Sequence, residues 1–404
     1  MKYTEALAWL YSLQRFGIKL GLENIQRLIA ELHVDLGNAR VIHGAGTNGK
    51  GSVCAMIDSI CRAQKYRTGL FISPHLITFR ERIRINGEMI SENEVANGLT
   101  NIRALVAVWE PHPTFFEIAT ALALKHFAEA KIDIVILETG LGGRLDATNA
   151  VQSNVAVITP IALDHQKWLG DSLEKIAGEK AGIIKAQTPV VSAPQLPDAD
   201  KVIRGRASEC KTPLQFVTEA YGKSPIALRG EHQKLNAAIA IAAIRAAKIE
   251  IDDAAIARGL ATVEWPGRFQ CWDKRTVIDG AHNPAAARIL AETWREIFGN
   301  ERATVILAIL SDKDLRKICE TLAPIAEFIL LPKIRTERAT DPIELQKIFV
   351  GLGCKSEICP SFADAFGKAQ KRSVPILVTG SLHFAGEALA HLQGKPAAFE
   401  ECAQ

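Results

Sequence analysis

No two of the eight cysteines stand in a CxxC pair, which argues against a zinc ribbon and a thioredoxin-type redox site. Their scatter along a long chain fits reduced thiols packed as small apolar side chains, and so a reducing compartment. No run of about 18 apolar residues is present, so no membrane-crossing helix is expected. The opening residues, MKYTEALAWLYSLQRFG, put Leu7, Leu10 and Tyr11 at helical spacing and include Glu5. They lack the basic start and unbroken apolar stretch of a signal peptide, so a surface helix and a cytoplasmic protein are expected. An excess of one charge is missing too. The 48 Lys and Arg oppose 45 Asp and Glu, too even a balance for the broad basic surface of a duplex-binding protein. Internal repeats and low-complexity tracts are also absent.

What remains is a globular composition, 48% hydrophobic and 23% charged, in a chain too long for one ordinary core. Short apolar runs at 39–42, 68–72, 132–138, 155–159 and 190–192 alternate with helical patterns such as 52–65 and 116–130. That rhythm predicts a parallel sheet wrapped by helices. A second, shorter round follows, with strands expected at 276–278, 303–309, 328–331 and 376–378. The stretch 263–269, with Pro266 and Gly267, separates the rounds. The expected units are therefore 1–265, a parallel-sheet domain, and 266–404, a smaller Rossmann-like α/β domain.

The strongest local signal is Val41-Ile-His-Gly-Ala-Gly-Thr-Asn-Gly-Lys50-Gly-Ser52. An apolar strand enters a loop rich in glycine, and a helix follows. Glycines let backbone N–H groups converge on phosphate oxygens, and the helix N-terminus adds favourable potential. Lys50 is placed to meet the β- and γ-phosphates. The candidate ATP cradle is Gly46, Thr47, Asn48, Gly49, Lys50, Gly51 and Ser52. The residue after the lysine is Gly51, where a P-loop has Ser or Thr to hold magnesium, and Ser52 comes one place later.

A second buried run ends in Glu138 and a glycine turn, continuing to Asp146 and Asn149. A carboxylate at the carboxyl end of a parallel strand beside a phosphate loop suits a magnesium ligand, though it equally suits a turn or cap. A third run delivers Asp164 and His165 at its end. Downstream, Lys180 lies on a short lysine-rich helix and reads most simply as a solvated residue.

Taken in order, GTNGKGS (46–52), SPHL (73–76), the segment 138–149, LDH (163–165), EKAGIIK (179–185), PGRFQ (266–270), DGAHNP (279–284) and TGS (379–381) resemble the folylpolyglutamate synthase/dihydrofolate synthase branch of the Mur ligase superfamily. The resemblance covers nearly the whole chain. It implies an ADP-forming acid–amino-acid ligase that uses ATP and two Mg2+ ions. Ser73 and Glu138 would hold one ion, Glu138 and His165 the other, and Lys180 would be carbamylated. Lys50, Lys180 and His165 would be catalytic, while Asn236, Arg268 and Asp279 would reach the nucleotide. His282 receives no role. The pterin or folate pocket would be lined by Thr114, Phe115, Phe116, Leu145, Asp146 and Ala147, and by Gly17, Ile18, Lys19 and Leu20. Lys19 stands where enzymes with both activities have an acid that accepts hydrogen bonds from a pterin.

The expected reaction is addition of L-glutamate to dihydropteroate, to tetrahydrofolates, or to both, through an acyl phosphate, by a monomer without nucleic-acid or membrane partners. A folate-only polyglutamate synthase stays open because of Lys19. A P-loop ATPase or kinase would not need the SPHL, LDH and EKAGIIK series. A cell-wall ligase usually carries a further N-terminal domain, whereas about 40 residues precede the loop here. A nucleotide-binding module without ligase activity would tolerate loss of the metal set.

Overall fold

A computed structural model describes residues 1–16 and 21–400. Fourteen strands are seen among them, in two sheets. The first contains β1 (Arg40–Ala45), β2 (Thr68–Phe71), β3 (Ile83–Ile85), β4 (Glu88–Met89), β5 (Ile134–Glu138), β6 (Val155–Ile158), β7 (Val190–Ser192) and β8 (Leu214–Phe216). Their order is β4-β3-β2-β5-β1-β6-β7-β8. The six strands from β2 to β8 run parallel, and β3 and β4 add an antiparallel edge. The second sheet contains β9 (Gln270–Cys271), β10 (Thr276–Ile278), β11 (Ala303–Leu307), β12 (Ala326–Pro332), β13 (Ser356–Cys359) and β14 (Ile376–Thr379), ordered β13-β12-β11-β14-β10-β9. Only β9 is antiparallel there.

The central strands are buried at every position of β5, β6, β10, β11 and β14. A strand covered on both faces has no use for polar alternation, which is why these runs read as continuous apolar stretches. Edge strands with less apolar character escape that signal. β3, β4, β8, β9 and β13 were not among the expected strands, and all five sit at or next to a sheet edge. The helix Tyr3–Ser12 forms as its spacing predicts, with Ala6, Leu7 and Leu10 buried. The amphipathic face thus joins the core beneath the first sheet rather than lying free on the surface.

In the first sheet β1 lies between β5 and β6; the chain runs from β1 to β2 on one side and later crosses from β5 over β1 to β6 on the other. Loops at such a reversal point diverge and open a crevice at the carboxyl ends of the strands. β1, β5 and β6 therefore deliver the phosphate loop, Glu138 and the Thr159–His165 segment to one place. No helix among the described residues is long and apolar enough to cross a membrane.

Candidate active site

The phosphate loop joins β1 to the helix Lys50–Ala63. Gly46 has φ 147°, and a Cβ there would overlap the Thr159 hydroxyl beyond β6, so only glycine fits. Gly49, the last residue before the helix, is in the left-handed region at φ 89° and lies against the Asn236 side chain. The N–H groups of Thr47 and Asn48 donate to the Pro160 carbonyl at 3.0 and 3.2 Å, tying the loop to the end of the next strand. The N–H groups of the first helical turn have no partner within the helix, and with the helix potential they suit an anion. Lys50 Nζ donates to the carbonyls of Gly46, 3.1 Å, and Thr47, 3.4 Å. Gly51 has a packing reason to be glycine: a Cβ would stand 2.8 Å from the Trp265 indole nitrogen. The space a P-loop Thr would fill is taken by the segment that leads to the second sheet.

Glu138, 5% exposed, ends β5 and accepts the Ser73 N–H at 3.4 Å. Burial raises its pKa above the usual carboxylate value, and the Lys50 charge opposes the rise. The Ser73 hydroxyl is buried and has no hydrogen-bond partner. An orphaned hydroxyl beside a buried carboxylate fits a hard divalent cation, which takes oxygen ligands. His165 lines the same cavity. It sits in the left-handed region, φ 51°, and its pKa is lowered, chiefly by burial, which favours the neutral ring that can ligate a metal. Among the described residues no three His, Cys, Asp or Glu side chains gather into a metal cluster. The fit rests on the serine oxygen together with Glu138 and His165.

The solvated reading of Lys180 is wrong. Its helix, Leu173–Ala181, packs so that Lys180 is 5% exposed, with Nζ donating to the Gly46 carbonyl at 2.8 Å. Lys50 and Lys180 thus share one carbonyl. Burial first, and then the Lys50 charge, lower the Lys180 pKa to about 7. Helical periodicity alone could not show this, because the face that carries Lys180 turns toward the phosphate loop.

Asp164, which the sequence marks only as a polar strand-end residue, is a charged hub. It pairs with Lys313 at 2.7 Å, accepts from Asn283 at 3.2 Å, and lies 3.5 Å from His282. Burial would raise its pKa, but His282, His165 and Lys313 together hold it far below the usual carboxylate range. Asn283 also exchanges side-chain hydrogen bonds with Asn48 of the phosphate loop, at 3.0 and 3.3 Å. Lys313 and Asn283 come from the second sheet's loops, so this cluster bridges the two sheets at the nucleotide cradle. The available signal was the SDKD sequence just after an apolar strand, the position from which the first sheet delivers Glu138.

Asp279 accepts the N–H groups of Phe269, 2.7 Å, and Ala281, 2.8 Å, while burial raises its pKa against the pull of Arg268. A cavity of about 460 Å³ is lined by Gly46–Ser52, Ser73, Glu138, His165, Lys180, Asn236, Arg268, Asp279 and His282, among others. Every catalytic, metal and nucleotide candidate thus meets in one crevice between the sheets. The described acceptor candidates do not line it. Thr114 accepts the Glu117 N–H and caps the helix Phe115–Ala130, and Phe115 stacks on Tyr11 at 5.6 Å. Asp146 caps the Ala147–Ala150 turn and accepts the Leu141 N–H at 2.8 Å. The Phe116 ring packs against Gly140, while Leu145 and the buried Ala147 flank the Asp146 cap. Gly17, Ile18, Lys19 and Leu20 lie outside the described residues.

Comparison with known proteins adds a family to this geometry. Residues 45–193 match the Mur ligase middle domain, and residues 267–382 match the Mur ligase, glutamate ligase domain. A dihydrofolate synthase/folylpolyglutamate synthase of Bacillus subtilis is 37% identical, the match covering 95% of this chain and 97% of the relative. A crystal structure of the Yersinia pestis bifunctional folylpolyglutamate synthase/dihydrofolate synthase, complexed with AMPPNP and Mn ion, superposes with TM-score 0.88 at 31% identity, covering 97% of this chain and 98% of that one. Escherichia coli FolC in complex with DHPP and ADP gives TM-score 0.85 at 33% identity, with 96% and 98% covered. The chain belongs to the dihydrofolate synthase/folylpolyglutamate synthase family of Mur ligases, which are ATP-dependent amide-bond-forming ligases.

Proposed function

We propose that this chain adds L-glutamate to the carboxylate of dihydropteroate and of reduced folates, releasing ADP and phosphate. The observation that carries the reading is the single crevice holding the phosphate loop, the Ser73–Glu138 pair, buried Lys180 and the second sheet's Arg268 and Asp279. A carboxylate is a poor electrophile. Its oxygen therefore first takes the γ-phosphoryl group of ATP, giving an acyl phosphate and ADP. The glutamate amine attacks the acyl carbon, phosphate leaves with the carboxylate oxygen, and the nitrogen loses its proton. Lys50 offsets charge on the phosphoryl oxygens as it moves. A divalent cation, in pairs in this reading, would be held by Ser73, Glu138 and His165 and would supply further charge neutralisation.

Lys180 has the chemistry to carry a carbamate. An amine with a pKa near 7 is partly neutral at physiological pH, so its lone pair can attack CO2 and lose a proton, leaving a carboxylate beside the metal residues. Asp279 would contact the nucleotide, while Asn236 and Arg268 would reach it from the hinge side. The units 1–265 and 266–404 would close on each other to exclude water from the acyl phosphate. Thr114–Phe116 and Leu145–Ala147 would shape the acceptor pocket from behind. The Bacillus and Yersinia relatives, named for both activities, favour the bifunctional reading over a folate-only enzyme.

The test is glutamate-dependent ADP release with dihydropteroate as sole acceptor, beside a tetrahydrofolate arm. Release in both arms supports the bifunctional reading. Release only with the folate removes dihydropteroate from the substrates, and release in neither removes the ligase assignment.

A further inference from the structure

The loop 73–82 belongs to the first unit by sequence and to the second by packing. It leaves β2 carrying Ser73, yet Leu76 and Ile77 pack into the apolar cluster that contains Phe384, Ala385 and Leu389 of the helix Leu382–Leu392. Gly386 on that helix lies so close to the Leu76 carbonyl that a Cβ would overlap it. Within the loop, Glu81 accepts the N–H groups of Leu76, Ile77 and Thr78 at 2.9, 2.8 and 3.0 Å. These contacts give the loop its shape but leave its outer side open.

That outer side is held from the far end of the described chain. The Glu400 carboxylate accepts the Phe79 N–H at 2.6 Å, the Thr78 hydroxyl at 3.2 Å and the Tyr3 hydroxyl at 3.0 Å. The Glu400 N–H donates to the Ile77 carbonyl at 2.8 Å. Arg82 Nε donates to His75 Nδ1 at 2.8 Å, so the His75 proton sits on Nε2 and is donated to the Glu400 carbonyl at 3.2 Å. Phe399 meets His383 edge-on, ring centres 5.0 Å apart, which fixes the segment to the second unit. Both backbone groups and both carboxylate oxygens of one residue are therefore spent on the Ser73 loop and on Tyr3.

We propose that Glu400 is a positioning residue that fastens the Ser73 loop to the second unit, so that closure of that unit sets the serine hydroxyl for the metal–nucleotide complex. This rests on the reading of Ser73 as a hydroxyl ligand. The segment ties the units at a place apart from both the 263–269 connection and the Asp164 cluster. A movement of the second unit carries Leu76 and Ile77 with it, and Ser73 follows three residues away. Glu400 touches neither nucleotide nor acceptor and acts only through the loop.

The experiment compares wild type, Glu400→Ala, Glu400→Gln and Ser73→Ala in the full chain. ADP affinity is measured by calorimetry with and without Mg2+, and hydrogen exchange is followed at the Phe79 amide. Loss of a carboxylate that accepts two loop hydrogen bonds should weaken ADP binding in Mg2+ roughly tenfold and speed Phe79 exchange, leaving Mg2+-free ADP affinity unchanged. Glu400→Gln should restore most of both, because its carbonyl still accepts from Phe79 and its amide can donate to Tyr3. Ser73→Ala should lose the Mg2+ effect without disturbing Phe79. If Ser73→Ala keeps the full Mg2+ effect, the metal reading fails, and the strap is then judged on Phe79 exchange alone. Unchanged Phe79 exchange in Glu400→Ala would overturn the strap. Equal weakening of ADP with and without Mg2+ would instead show a merely structural role and overturn the proposal.

Discussion

The phosphate-loop crevice and the acceptor segments handle polar groups in opposite ways. In the crevice, polar atoms are buried and left open: the Ser73 hydroxyl has no partner, and two lysines crowd one carbonyl. In the described acceptor segments, 114–117 and 145–148, the polar side chains Thr114, Glu117 and Asp146 are already used. Thr114 and Glu117 cap each other at the start of their helix, and Asp146 holds Leu141 and Thr148. Unsatisfied groups in a folded interior cost stability unless a ligand completes them, so the crevice is built for a guest. The acceptor segments are built for shape. Substitutions in the two regions should therefore fail differently, the first in turnover and the second in stability and acceptor binding.

The largest expected effect lies in the crevice. Lys50→Ala and Glu138→Ala should each lower turnover on the order of 100-fold or more while leaving the melting temperature close to wild type, as steady-state assay and calorimetry would check. Turnover near wild type in a folded variant would erase the contrast. Lys180→Ala should fall nearly as far and recover in part with added short-chain carboxylates, since the missing carboxylate can be supplied from solution. No rescue, with a free amine found by mass spectrometry of the wild type in bicarbonate buffer, would count against the carbamate.

The acceptor segments should give a smaller effect of another kind. Thr114→Ala removes an N-cap and should cost about 1 kcal/mol of stability, with ATP KM unchanged and acceptor KM raised severalfold. A change in ATP KM alone would contradict the division.

An effect of pH on stability sharpens the account of Lys180. A lysine whose folded pKa is lowered to about 7 binds fewer protons folded than unfolded between that value and the ordinary value near 10.5. Its burial therefore costs most below pH 7, and the cost fades as pH rises toward 10. In bicarbonate-free buffer, Lys180→Met should melt above wild type at pH 6, and the gap should close by pH 10. A gap that is constant with pH would show that Lys180 does not titrate in this range.

The same contrast explains what could be seen in the sequence. Glycines that only one backbone can use, and apolar strands buried on both faces, leave local marks, so the phosphate loop and central strands were legible. The edge strands β9 and β13, and β3 next to an edge, were not, because partly exposed residues show no apolar run. Lys180 was misjudged, and the hub role of Asp164 missed, because their surroundings come from distant segments: Gly46 lies 134 residues from Lys180, and Lys313 lies 149 from Asp164. Asp146 shows the converse, a residue whose turn-capping geometry is visible in the fold while its acceptor role rests on resemblance.

The most direct test of the proposed chemistry follows the acceptor's own oxygen. Tetrahydrofolate labelled with oxygen-18 in its terminal carboxylate is incubated with ATP, Mg2+ and glutamate, and the released phosphate is analysed by mass spectrometry. An acyl phosphate predicts one labelled oxygen in phosphate for each amide bond formed. Amide formation with unlabelled phosphate would contradict it.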